Sequence, residues 1–142
     1  MLRIDATAYA QMVGHCYDGL PLEACGLLAG PPPAGDDADA DVDVAAVYLT
    51  RNAAASSRVY TVDPRDHLRA DRDAEDRGWQ IVGVFHSHTH TDPYPSPTDV
   101  AQAPDPGWHY VLVSLRDEAP MTRSYRIVDG KITEEPVVVV RS

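Results

Sequence analysis

With 142 residues, 44% of them apolar, the chain is long enough to fold as a single domain around a hydrophobic core without help from disulfides. Its formal net charge of -10, histidines counted neutral, and its lack of any basic cluster exclude a nucleic-acid-binding role that rests on phosphate contacts. No stretch resembles a signal peptide or approaches the length of a membrane span, so a cytoplasmic protein without membrane contact is expected.

Residues 2–4 read as a short strand. Asp5 then suits the N-cap of a helix over about 6–18, whose apolar positions Tyr9, Met12, Val13 and Cys16 recur at spacings of three and four. Gly19 and Pro21 end that helix, and ACGLLAG reads as a buried strand. PPPAGDDADAD, residues 31–41, has nothing to bury and reads as an acidic surface loop. VDVAAVYLT (42–50) is predicted as one strand, RNAAASS as a linker and RVYTVD as a further short strand. Asp63 followed by Pro64 starts a polar helix that runs to about Arg77, stops at Gly78 and packs through a thin stripe at Leu68 and Ala74. WQIVGVF (79–85) is apolar and β-branched, as a central strand is, and runs directly into HSHTHTDPYPSPTD. A short helix from Pro97 to Ala103 follows. WHYVLVSL, MTRSYRIVDG and KITEEPVVVV are three more strands, with RDEAP and DG as turns. The predicted class is α/β (α+β), a mixed sheet flanked by two or three helices with an antiparallel C-terminal end. No glycine-rich phosphate loop is present, so a doubly wound nucleotide fold is not expected.

The cysteines, Cys16 and Cys25, stand nine positions apart, which is neither a disulfide framework nor a metal clip. They are expected to be small buried hydrophobes rather than redox groups.

The segment after the central strand carries the chemistry. In extended chain, positions i and i+2 face the same way, so His86 and His88 can meet one ion. Asp99 follows beyond a turn-rich stretch long enough for the chain to return with a third ligand. Two imidazoles and one carboxylate leave a fourth tetrahedral position open, as in catalytic zinc sites. Six histidines in one chain can also yield such a pair by chance, as solvated surface residues. Ser96, Pro97 and Asp99 make a good helix start as well. One reading gives Ser96 and Asp99 to a capping box; the other aims Asp99 at the ion and keeps the Ser96 hydroxyl as an oxyanion donor. Glu23, just before an apolar strand, is either a surface glutamate or a carboxylate placed at the edge of the core for a task.

These residues resemble the JAMM, or MPN-plus, metalloprotease family, whose pattern is an upstream glutamate, then His-x-His, seven residues, Ser, two residues and Asp. Here it reads Glu23, HSH at 86–88, Thr89 to Pro95, Ser96, PT and Asp99, in the setting GVFHSH and YPSPTD. The resemblance spans essentially the whole chain and implies a curved sheet of the JAB/MPN, cytidine-deaminase-like kind over residues 1–142. It implies one zinc ion per chain on His86, His88 and Asp99, with Glu23 as general base and then acid and Ser96 as oxyanion donor. Thr89 stands where the family commonly has proline. That variant is similar to the branch that acts on a ubiquitin-like sulfur-carrier protein, whose C-terminal Gly-Gly bears cysteine in amide linkage. The implied activity is then release of free cysteine, for cysteine biosynthesis. Competing readings are a general isopeptidase that takes ubiquitin-like modifiers off lysines, a non-catalytic interaction module of the same fold, and a closed metal-binding domain with His90 or Asp92 as fourth ligand. His90 either touches a substrate carboxylate or only decorates the loop.

Overall fold

A computed structural model describes residues 1–33, 41–103 and 105–141. Most of the expected acidic loop at 31–41 lies outside the described residues. Strand β1 (Leu2–Asp5) leads into helix α1 (Ala6–Asp18), where the Asp5 carboxylate accepts from the Ala8 amide at 3.1 Å, the N-cap bond its position predicts. Next come β2 (Cys25–Gly30), β3 (Val42–Val44), β4 (Ala46–Thr50), α2 (Pro64–Asp76) and β5 (Gln80–His88). The chain continues through α3 (Pro97–Ala101), β6 (His109–Ser114), β7 (Met121–Val128), β8 (Lys131–Glu135) and β9 (Val137–Val140).

Six strands form a mixed sheet in the order β4-β2-β5-β6-β7-β8, parallel only between β5 and β6; β3-β1-β9 form a second, parallel sheet. Side chains alternate across the large sheet, as period two requires. Leu28, Phe85, Val111 and Val113 face α1, packing with Ala8, Met12, Cys16 and the small sheet's Leu2, Ile4, Val42 and Val44. Leu27, Val84, Tyr110 and Ile127 face the other way, toward Ala70 of α2. Both cysteines are free and buried, as expected.

The structure corrects several expectations. The single strand over 42–50 is two strands, β3 on β1 and β4 on β2. At the switch the Ala45 amide bonds to the Ala29 carbonyl (2.9 Å), and Gly30 passes so close to the Asp43 carbonyl that no Cβ would fit. KITEEPVVVV is likewise broken, at Pro136. Proline cannot donate to a ladder, so β8 stays with β7 and β9 crosses to β1. RVYTVD is not a strand and makes one bridge, between Asn52 and Val62. The Asn52 side chain takes over the role of the ladder there. It accepts from the Ala54 and Thr61 amides and donates to the Glu23 and Val59 carbonyls, all at 2.9–3.0 Å. Helix α2 buries Ala70 and Ala74 and leaves Leu68 51% exposed, because small residues one turn apart let the helix lie close on the sheet. Helix α3 ends at Ala101, and β5 runs three residues beyond Phe85, through both histidines.

Candidate active site

Because β5 stays extended to its end, His86 and His88 continue the face of Val84, while Ser87 points to the opposite face. All three are buried. Ser87 ties β5 to the segment after Glu23: its Oγ accepts from the Ala24 amide and its own amide donates to the Ala24 carbonyl, both at 2.9 Å.

Each histidine is oriented by a neighbour. The His86 ring stacks on Tyr60, with centroids 4.2 Å apart and planes 19° from parallel. The His88 Nδ1 donates to the Asp92 carbonyl at 2.8 Å, which turns Nε2 inward toward Asp99. The loop that supplies this carbonyl is itself pinned. Ser114 Oγ donates to the Thr91 carbonyl (2.6 Å), the Tyr125 hydroxyl donates to the Pro93 carbonyl (2.5 Å), and Arg116 pairs with the Asp92 carboxylate.

Asp99 enters from the first turn of α3. The capping box is present: the Asp99 amide donates to Ser96 Oγ (3.1 Å) and the Ser96 amide donates to Asp99 Oδ2 (2.9 Å). The same Oδ2 lies 3.2 Å from His86 Nε2 and 3.1 Å from His88 Nε2, and the two Nε2 atoms are 3.3 Å apart. The two readings of Ser96 and Asp99 are therefore compatible. The cap uses Ser96 only as an acceptor, so its hydroxyl proton stays available to donate.

The triangle has the size of one face of a coordination tetrahedron. Donor–metal bonds of about 2.0–2.1 Å at the tetrahedral angle place donors roughly 3.3 Å apart. These three are the residues, among those described, that could hold a metal ion. His90 is exposed and takes no part. Asp92 contributes a backbone carbonyl to His88, and its own carboxylate is engaged by Arg116. Neither completes a closed four-ligand shell.

The electrostatics follow from the same contacts. Burial opposes ionisation of Asp99, but the hydrogen bonds from His86 and His88 outweigh it and hold the carboxyl well below the usual carboxylate range. Burial lowers the pKa of His86. For His88, burial is outweighed by the hydrogen bonds to Asp99 and Asp92, and its pKa is raised.

Glu23 is 5% exposed, and its Oε1 has no hydrogen-bond partner. Its backbone is fixed on both sides: the amide donates to the Ser56 carbonyl (2.8 Å) and the carbonyl accepts from Asn52 Nδ2 (3.0 Å). Burial lifts its pKa to about 7, with His88 pulling it down and Asp99 pushing it up. A carboxylic acid that titrates near neutrality can both take and return a proton. Tyr60, Asn52 and Ser87 support this site and were not singled out from the sequence. Only Ser87 had a usable signal, as the middle residue of an i, i+2 pair.

Residues 5–128 match the family described as prokaryotic homologs of the JAB domain. The chain is 45% identical over 141 residues to the CysO-cysteine peptidase of Mycobacterium tuberculosis, covering 99% of this chain and 92% of that protein. It is 36% identical over 118 residues to the desampylase of Haloferax volcanii, covering 80% of each. The solution structure of a Desulfitobacterium hafniense protein superposes with a TM-score of 0.89 at 34% identity, over 100% of this chain and 94% of that one. A family match across most of the chain, relatives along nearly all of it and a shared fold lead to one conclusion: the chain belongs to the prokaryotic JAB family.

Proposed function

We propose that the chain is a zinc-dependent peptidase that hydrolyses the amide between the C-terminal glycine of a ubiquitin-like sulfur-carrier protein and cysteine, releasing free cysteine. The observation that carries this reading is the open three-donor triangle of His86, His88 and Asp99 next to Glu23, a buried carboxylate with an unpartnered oxygen. The 45% identical relative named CysO-cysteine peptidase supports the choice of substrate.

His86, His88 and Asp99 would hold zinc, which supplies Lewis-acid polarisation of the scissile carbonyl and a lowered pKa for water. Glu23 takes the proton of the attacking water and returns it to the leaving amine. Ser96, its oxygen already accepting from the Asp99 amide, directs its O–H at the oxygen on which charge develops. The carrier's Gly-Gly tail reaches these groups past Tyr60. Beside Tyr60 lies a cavity of about 440 Å³, lined by Leu27, Val62, Val84 and Trp108 with His67 and Gln102, large enough for a side chain further up the tail. Among the described residues no helix is long and apolar enough to cross a membrane.

The test is intact mass spectrometry of a carrier ending in Gly-Gly-Cys, incubated with the zinc-loaded protein. Loss of one cysteine residue with the wild type, and none with Glu23→Ala, is the expected result. An intact carrier, with bound zinc confirmed, would refute the substrate. A second reading, removal of ubiquitin-like modifiers from lysines, draws on the relatives named desampylase. It predicts that a carrier joined to a lysine ε-amine is cut faster than the cysteine conjugate.

A further inference from the structure

Hydrolysis of a carrier–cysteine amide frees an amine whose α-carbon also bears a carboxylate. The group that protonates that amine stands beside it, so a residue that recognises the carboxylate must lie close to Glu23. We infer that Arg58 is this residue: its guanidinium binds the α-carboxylate of the leaving amino acid, which makes the chain specific for a free C-terminal amino acid over a lysine isopeptide. The inference rests on the hydrolase reading above.

The loop that carries Arg58 is fastened to the site on two sides. The Ser56 carbonyl accepts from the Glu23 amide at 2.8 Å, and Ser56 Oγ accepts from the Arg58 and Val59 amides at 3.0 and 3.3 Å. The next carbonyl, that of Ser57, accepts from Thr89 Oγ1 at 3.5 Å, and Thr89 directly follows His88. Arg58 thus starts from backbone held between the candidate acid and a candidate metal ligand.

Its charge is uncommitted. Arg58 is exposed, and among the described residues no side chain pairs with its guanidinium. The neighbouring arginines are taken: Arg51 by Asp66 at 3.3 Å, and Arg116 by Asp92 and by Asp117 at 3.4 Å. A guanidinium presents a planar fork that fits a carboxylate with two hydrogen bonds. A lysine ε-amine released from an isopeptide has no carboxylate on the adjacent carbon, so the same arginine gains nothing from it.

The experiment compares two substrates, the carrier ending in Gly-Gly-Cys and the same carrier ending in cysteinamide, with zinc-loaded wild type, Arg58→Ala and Arg58→Lys. The wild type should prefer the free acid. Arg58→Ala should lose roughly 10- to 100-fold in kcat/KM on the acid, the size of one charge-assisted contact, and little on the amide. Arg58→Lys should recover part of the loss. Equal effects of Arg58→Ala on both substrates, or on neither, would overturn the assignment. So would a wild type indifferent to the terminal carboxylate, while leaving the hydrolase reading intact. A wild type that cuts neither substrate would remove that reading and Arg58's role with it.

Discussion

Glu23→Gln should make the protein more stable in alkaline solution and catalytically dead. The ordinary pKa of this carboxyl is 4.5, and burial raises it to about 7. Below 4.5 the folded and unfolded chains both hold the proton, and ionisation has no effect on stability. Between 4.5 and about 7 the unfolded chain ionises first, so the folded state loses ground steadily. Above about 7 the whole penalty is present. At 1.36 kcal/mol per unit the shift amounts to about 3 kcal/mol in all, of which roughly 2 kcal/mol falls between pH 5 and pH 8, because part is already present at pH 5. Glutamine has nearly the same shape and never ionises. Denaturant unfolding of both proteins in chelator, at pH 5 and pH 8, should show the stability of Glu23→Gln relative to wild type increasing by about 2 kcal/mol toward pH 8. A difference that stays constant with pH would show that Glu23 ionises freely in the folded protein, and the argument from its orphaned oxygen would fail.

Asp99→Ala should weaken zinc binding by more than about 100-fold, beyond what outer-shell changes cost, as measured by competition with a fluorescent chelator. Unchanged affinity would remove Asp99 from the ligand set. Asn52→Ala should destabilise the fold by about 2–3 kcal/mol in the same unfolding assay, because it strips partners from the Glu23 and Val59 carbonyls and from the Ala54 and Thr61 amides. Away from the site, burial opposes ionisation of Glu135, but hydrogen bonds from His109 (2.6 Å) and Ser124 (2.8 Å) hold its pKa below the ordinary 4.5. Its contribution is present above pH 4.5 and fades as pH falls through the lower folded value. The stability gap between wild type and Glu135→Gln should therefore close on acidification, and a gap that widens would contradict the network.

Local signals carried much of this structure. Asp5 before a three-and-four-spaced apolar run gave α1, and the i, i+2 histidines gave the donor pair, because each depends on neighbours within a turn or a strand. The division of 42–50 at Ala45 had no breaker to announce it, since the switch depends on the close pass of Gly30 and Asp43. The break at Pro136 was visible in principle, because proline interrupts a ladder. The work of Asn52 joins backbone groups far apart in sequence and leaves no periodicity. The competition over Ser96 was resolved by counting lone pairs and protons, which needed the direction of the Asp99 amide bond. The position of Glu23 depends on the Ala24–Ser87 pairing, 63 residues apart, which only the sheet reveals.

The serine between the two histidines makes assembly of the site self-checking. If β5 slipped by one residue against β2, both imidazoles would turn into the apolar layer beneath α1 and Ser87 would take the place meant for a ligand. The same slip would release Ala24, and Glu23 with it. One error in strand alignment thus removes the proposed metal ligands and the proposed proton carrier together. With those assignments, a misfolded copy has no half-built centre able to capture an ion or attack amides at random, and hydrolytic competence requires the right register.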